Sequence, residues 1–238
     1  MRKIIISLLL VFVFNHLFCE EIFFSADSMT GQAGNSNSTT NLLGEAFVQT
    51  ESMKIQADSI ELSGENYRFI KASGNVSGQN FSSNLDFSCD SLSYDRTTKI
   101  ATLFGNVNLK DNDNDVTAKA QMIEYNQTTN KAILQIKIDL KQKENQCTGS
   151  YAVYFKNEQI LELSGNAQIK QKDDTFRAQY ISLNMETQEI TLDGNVRGSI
   201  KETKSEKSGE ENEKSKSEKT DDSESKIKVE TQGETQNE

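Results

Sequence analysis

Apolar and polar positions alternate along most of the chain. Ala101, Leu103, Gly105, Val107 and Leu109 are apolar or glycine, and the residues between them are mostly polar. Leu161, Leu163, Gly165, Ala167 and Ile169 repeat the pattern. A period of two marks a strand with one face buried. No comparable 3.6-residue stripe follows the N-terminal segment. Short polar stretches such as Asp95-Arg96-Thr97-Thr98 and Asn126-Gln127-Thr128-Thr129 separate the runs and read as turns.

Two signatures recur in step. The first is Gly74-Asn75-Val76, Gly105-Asn106-Val107, Gly165-Asn166-Ala167 and Gly194-Asn195-Val196, with Gly44-Glu45-Ala46 as a weaker copy. Its glycines are 30, 31, 60 and 29 residues apart, and the long gap hides a copy in which Ile136-Lys137-Ile138 stands for Gly-Asn-Val. The second is Ala26-Asp27, Ala57-Asp58, Cys89-Asp90, Ala120-Gln121 and Ala178-Gln179, with a degenerate copy at Gly149-Ser150. Strand pairs repeating at this period predict a sandwich, barrel or solenoid.

The parity of the alternation switches near each Ala-Asp pair. Leu85, Phe87 and Cys89 share one parity, whereas Leu92 and Tyr94 have the other. A strand changes faces only through a bulge or corner. Corners at one phase of every repeat bend the whole sheet along one line. The fold class is therefore all-β: a repeat-built β-jelly-roll, or folded antiparallel sheet, around an interior.

The glycine shares parity with its apolar neighbours and is expected to face inward. It either eases the backbone through a bend or leaves space for a groove suited to acyl chains, which Ile136 would narrow. The candidate inner wall is Ile60, Leu62, Leu92, Tyr94, Leu103, Ile123, Tyr125, Ile136, Ile138, Leu163, Ile181 and Leu183. The same residues would serve equally as ordinary core.

The ends differ from the middle. Met1-Arg2-Lys3 followed by the apolar run Ile4–Phe14 has the form of an export signal, and cleavage is expected after Cys19. An uncleaved anchor and lipidation of Cys19 are the rival fates. Residues 201–238 are nearly all charged or small polar, with Ile227 and Val229 the only large aliphatics. Such a tail cannot bury enough apolar surface to offset its ordering entropy, and disorder is expected. The organisation is thus signal peptide 1–19, β-domain 20–200 and charged tail 201–238.

Composition narrows the chemistry. A net charge of -10 argues against a nucleic-acid partner. The one histidine, His16, lies in the signal, so a cleaved chain has no imidazole for a triad or a metal site. Asp111-Asn112-Asp113-Asn114-Asp115 opens like a calcium loop, but Val116 and Met122 stand where glycine and glutamate are required. No phosphate-binding or nucleophile motif is present. An enzyme, a cofactor and a metal are therefore not expected. After export Cys89 and Cys147 remain, and they form either a disulfide or two buried free thiols.

The recurring Ala-Asp-x-Ile/Leu, a strand ending in Tyr, a Thr-rich turn and then Ile-x-Leu-x-Gly-Asn-Val resemble the LptA/OstA-like proteins of lipopolysaccharide export. Cys89–Tyr94 with Ala101–Val107 carries the resemblance best, followed by Ala178–Val196, within roughly 22 to 200. The resemblance implies a periplasmic β-jelly-roll of a Gram-negative-type envelope that holds acyl chains and assists outer-membrane assembly. It also implies end-to-end stacking by edge strands, with LptC-like and LptD-like partners or with further copies of the chain. The expected function is a non-enzymatic bridge carrying lipopolysaccharide or a related glycolipid between the membranes. Two alternatives remain open: an inner-membrane-tethered LptC-like component, and a structural or adhesive β-repeat that binds no lipid.

Overall fold

A computed structural model describes residues 21–31 and 39–201. The expected signal peptide lies outside the described residues, and so does the charged tail apart from Lys201. The strands are β1 Phe23–Ser25, β2 Ser28–Gly31, β3 Thr40–Gln49, β4 Met53–Ser63, β5 Phe69–Asn80, β6 Leu85–Asp95 and β7 Ile100–Asp111. They continue as β8 Val116–Asn126, β9 Lys131–Gln142, β10 Asn145–Phe155, β11 Ile160–Gln171, β12 Asp174–Asn184, β13 Ile190–Asp193 and β14 Arg197–Ser199. From β3 to β13 each strand pairs antiparallel with the next, while β1 and β2 flank β3 and β14 pairs with β12. One 3-10 turn, Glu65–Tyr67, interrupts the meander.

Side-chain chemistry sets the turns. Asp95 Oδ1 accepts from the backbone N–H groups of Thr97 and Thr98, and Asn126, Asn184 and Asp111 do the same for the turns they open. A short acceptor on the last strand residue stabilises the reversal in place of a ladder bond.

The expected corner is present in every long pairing. From β3–β4 through β11–β12, each register shifts along one transverse line, for instance between Ser73 and Val76 or between Phe104 and Val107. On the odd-numbered strands two consecutive residues there have positive φ, such as Gly105 at 78° and Asn106 at 48°. The two signatures are the two sides of this bulge, since Asn106 Nδ2 donates to Asp90 Oδ2 at 2.9 Å and Asn75 does the same to Asp58.

The glycine does not face inward as expected. A Cβ on Gly105 would lie 2.2 Å from Asp90 Oδ2, and one on Gly74 2.2 Å from Asp58 Oδ2. Both aspartates are exposed. The bulge turns the glycine outward beneath an acidic side chain, so it is a backbone requirement and contributes no space to the interior.

The line divides the sheet into two leaves. The first carries Ile60, Leu92, Leu103 and Ile123; the second carries Ile55, Phe87, Leu109 and Leu140. All join one continuous core cluster. The free ends of the leaves meet. Ser83 Oγ donates to Asn130 Oδ1 at 3.1 Å, although the two turns sit at opposite ends of strands that would span about 35 Å if flat. Each such contact joins a second-leaf turn to the first-leaf turn three strands further on. This stagger of about 14 Å is what a twisted sheet folded on itself produces.

Candidate functional site

Eleven of the twelve candidate wall residues line the interior, each at most 4% exposed. Ile136 is the correction. It stands at the bulge position that glycine occupies elsewhere, with φ 65°, and it is 52% exposed. Parity placed it inside, and the bulge turns it out.

The two cysteines are free and buried. The disulfide alternative fails on geometry. Register runs from Phe87 through Leu109, Ala118 and Leu140 to Cys147, and Cys89 is two residues from Phe87. Four strand spacings put the thiols about 19 Å apart, whereas a disulfide needs Cα atoms within about 7 Å. Burial pushes Cys89 up to about 11 and Cys147 up to about 12.

The interior is closed by polar clasps along the seam where the leaf ends meet. In the central clasp, Lys156 Nζ lies 2.9 Å from Asp111 Oδ1 and 2.7 Å from Asp113 Oδ2. The side chains of Lys156 and Asp111 are 7% and 1% exposed. Tyr154 donates its hydroxyl to Asp111 Oδ2 at 2.8 Å, and Asn114 Nδ2 donates to the same oxygen at 2.8 Å. Burial alone would lower the Lys156 ammonium, but its hydrogen bonds to Asp113 and Asp111 outweigh this and raise it. Burial beside the Asp111 carboxylate keeps the Tyr154 hydroxyl protonated. The calcium-like turn thus has a cation already, supplied by Lys156.

Neighbouring clasps follow the same stagger. Tyr125 and Ser83 both donate to Asn130 Oδ1. Further along, Asn145 Nδ2 donates to Gln188 Oε1 at 2.6 Å, and Gln142 Nε2 donates to the Met185 carbonyl. Tyr94, Tyr125 and Tyr154 are equivalent repeat positions: their rings are buried and their hydroxyls sit at the seam. Sequence reasoning picked out the first two and missed Tyr154, Asp111 and Lys156 as a unit. A signal existed: Asp111 continues the inward parity of Val107 and Leu109, and Lys156 that of Ala152 and Tyr154. An acid at the end of one strand and a base just past the end of another, both at inward parity, mark a buried pair.

One depression of about 660 Å³ lies on the outer face of the first leaf. Outward-facing Leu43, Ser59, Ser73, Ser91 and Phe104 line it, together with the core residues Ile60 and Leu92 of the strands beneath.

Residues 88–189 match the family model described as LptA/(LptD N-terminal domain) LPS transport protein, and residues 21–135 match that of the OstA-like protein. Together the two matches run from the start of β1 to the turn after β12. A solved structure, LptH, described as the LptA homologous periplasmic component of the conserved lipopolysaccharide transport device from Pseudomonas aeruginosa, is 13% identical. That match covers 77% of this chain and 96% of LptH, with a TM-score of 0.24. No curated protein matches the chain.

Proposed function

We propose, from the matches to the LptA/(LptD N-terminal domain) and OstA-like family models, that the chain is a non-enzymatic, periplasmic bridge that carries lipopolysaccharide or a related glycolipid by its acyl chains. One observation carries this reading. Among the described residues, a single apolar interior runs through the folded sheet and is closed along one side by side-chain clasps. The fold line is held by backbone ladders, whereas the seam is held by separate polar contacts. Separating the leaves at the seam would expose the wall while leaving the ladders intact. Ile60, Leu62, Leu92, Tyr94, Leu103, Ile123, Tyr125, Ile138, Leu163, Ile181 and Leu183 would then contact the cargo.

The ends of the sheet fit the stacking role. Exposed Phe23, Phe24 and Met29 sit on or beside the edge at β1 and β2, and exposed Val196 and Ile200 flank β14 at the other end. Strand addition there would join copies head to tail, or join the chain to LptC-like and LptD-like partners.

The closed packing of the wall also suits the structural alternative, in which the interior is solid core. Mass spectrometry of the protein isolated from its own envelope in a non-delipidating buffer separates the two readings. Near-stoichiometric glycolipid on a chain starting at Glu20 supports the carrier. The same mass without lipid, even after incubation with envelope lipids, overturns it. A mass retaining Met1 moves the chain to a tethered, LptC-like role.

A further inference from the structure

The outer face of the second leaf carries a charge opposite to that of the whole protein. Between β7 and β14 its two outward rows are fixed by register. One runs Asn108, Lys119, Asp139, Thr148, Gln168, Arg177 and Arg197. The other runs Lys110, Thr117, Lys141, Gln146, Lys170 and Thr175. Six cations (Lys110, Lys119, Lys141, Lys170, Arg177 and Arg197) are all exposed. None of them forms an ion pair among the described residues. The one acid in these rows, Asp139, accepts instead from Gln146 Nε2 at 2.9 Å.

The outer rows of the first leaf have the reverse bias. Glu61, Glu124, Glu162 and Asp193 face out there, and Lys71 is paired with Glu61 at 3.4 Å. A chain of net charge -10 thus gathers unpaired cations on one face. Arg177 and Arg197 stand directly opposite each other, a pairing that is destabilising in isolation. Lys110, Lys141 and Lys170 occupy the same repeat position on alternate strands, about 10 Å apart.

We propose that this leaf docks on a bilayer surface through its anionic phospholipid headgroups. The patch extends over about 29 Å and is two rows wide, which suits an array of charges better than a single ligand. Four of the six cations are lysines, which act as hydrated point charges rather than as the planar forks that select one phosphate. The rows hold no aromatic side chain, so a single-stranded nucleic acid would find no stacking platform. The acidic first leaf would be repelled, and the protein would lie on the membrane in one orientation. The chain's own tail is the weaker occupant. Residues 202–238 carry twelve acids but also seven lysines, which docking would bring onto the same leaf.

The test is co-sedimentation of the protein from Glu20 with vesicles of phosphatidylglycerol and phosphatidylethanolamine, against phosphatidylcholine vesicles, at low salt. Binding only to the anionic vesicles, lost in 0.5 M salt, is expected. Neutralising Lys110→Gln, Lys141→Gln and Lys170→Gln together should weaken it about 100-fold, at about fivefold per cation lost. Lys71→Gln on the other leaf should leave it unchanged. These are exposed strand positions, and circular dichroism confirms that the variants fold. Absence of binding to anionic vesicles, or equal binding by the triple variant, overturns the proposal. So does binding seen only after truncation beyond Lys201, which would assign the leaf to the tail. Lipid co-purification reports on the interior and is independent of every one of these outcomes.

Discussion

Replacing Lys156 by methionine should destabilise the protein severely, because it removes one member of a buried ion pair and leaves the other. Asp111 is 1% exposed and meets Lys156 at 2.9 Å. Breaking such a pair from one side costs about 3–5 kcal/mol, most of it the uncompensated buried charge. Asp111 keeps four other donors: the Tyr154 hydroxyl, the Asn114 amide and the backbone N–H groups of Asp113 and Asn114. These place the loss at the lower end, about 3 kcal/mol. For a domain of this size that is a fall of about 6–12 °C in melting temperature. Far-UV circular dichroism and urea titration read it directly. Adding Asp111→Asn to Lys156→Met removes the stranded charge while keeping an acceptor for Tyr154. The double variant should therefore recover most of the loss. A single variant that loses less than about 1 kcal/mol, or a double variant as unstable as the single, would refute the reasoning and reduce the clasp to a surface contact.

Four further outcomes follow from the geometry. Ile136→Gly should stabilise by about 1 kcal/mol, since a β-branched residue at φ 65° is strained and its exposed side chain contributes little packing; a lower urea midpoint would contradict this. Gly105→Ala should cost about 1–3 kcal/mol, because its Cβ would meet Asp90 Oδ2 at 2.2 Å in a left-handed backbone, and an unchanged melting temperature would count against the outward placement of the glycine. Thiol titration should find Cys89 and Cys147 inert in the native protein and both reactive in urea, with identical reduced and non-reduced gel mobility. Asp95 is held well below the usual carboxylate range by its hydrogen bond to Arg68, and Asp113 is lowered by Lys156. A lowered folded pKa stabilises above the unfolded value of about 3.9 and is lost as the pH falls below it. Urea midpoints should therefore drop between pH 5 and pH 2, and less steeply in Asp95→Asn.

Strand positions, turn positions and the fold line could all be read from the sequence because each is local. Period-two alternation fixes a strand, an Asp or Asn at its end fixes a turn, and two phase-locked dipeptides mark one bulge. The inward parity of Leu103 and Ile123 predicted burial correctly because no bulge lies between them and their neighbours on the first leaf. The same rule failed at Gly105 and Ile136. Parity is undefined across two consecutive residues of positive φ, and those residues are the bulge. It also could not place Cys89 relative to Cys147, since both are inward and only the number of intervening strands separates them.

The seam was the least legible feature, and the reason is physical. Its partners are 43 to 47 residues apart in Asn145–Gln188, Asp111–Lys156 and Ser83–Asn130, neither one repeat nor two. The repeat period reports the ladder, in which neighbours are consecutive strands. The seam reports the twist, which carries one leaf end three strands past the other. Twist accumulates over the whole sheet and leaves no mark at any single residue. What the sequence does carry is the polar exception at an inward position, and Asp111 and Lys156 are both such exceptions. Their pairing becomes derivable once the stagger is known: the second-leaf turn after β7 must meet the first-leaf turn after β10, and those turns hold the acid and the base. The seam therefore has an order that one stagger and a list of inward polar residues determine.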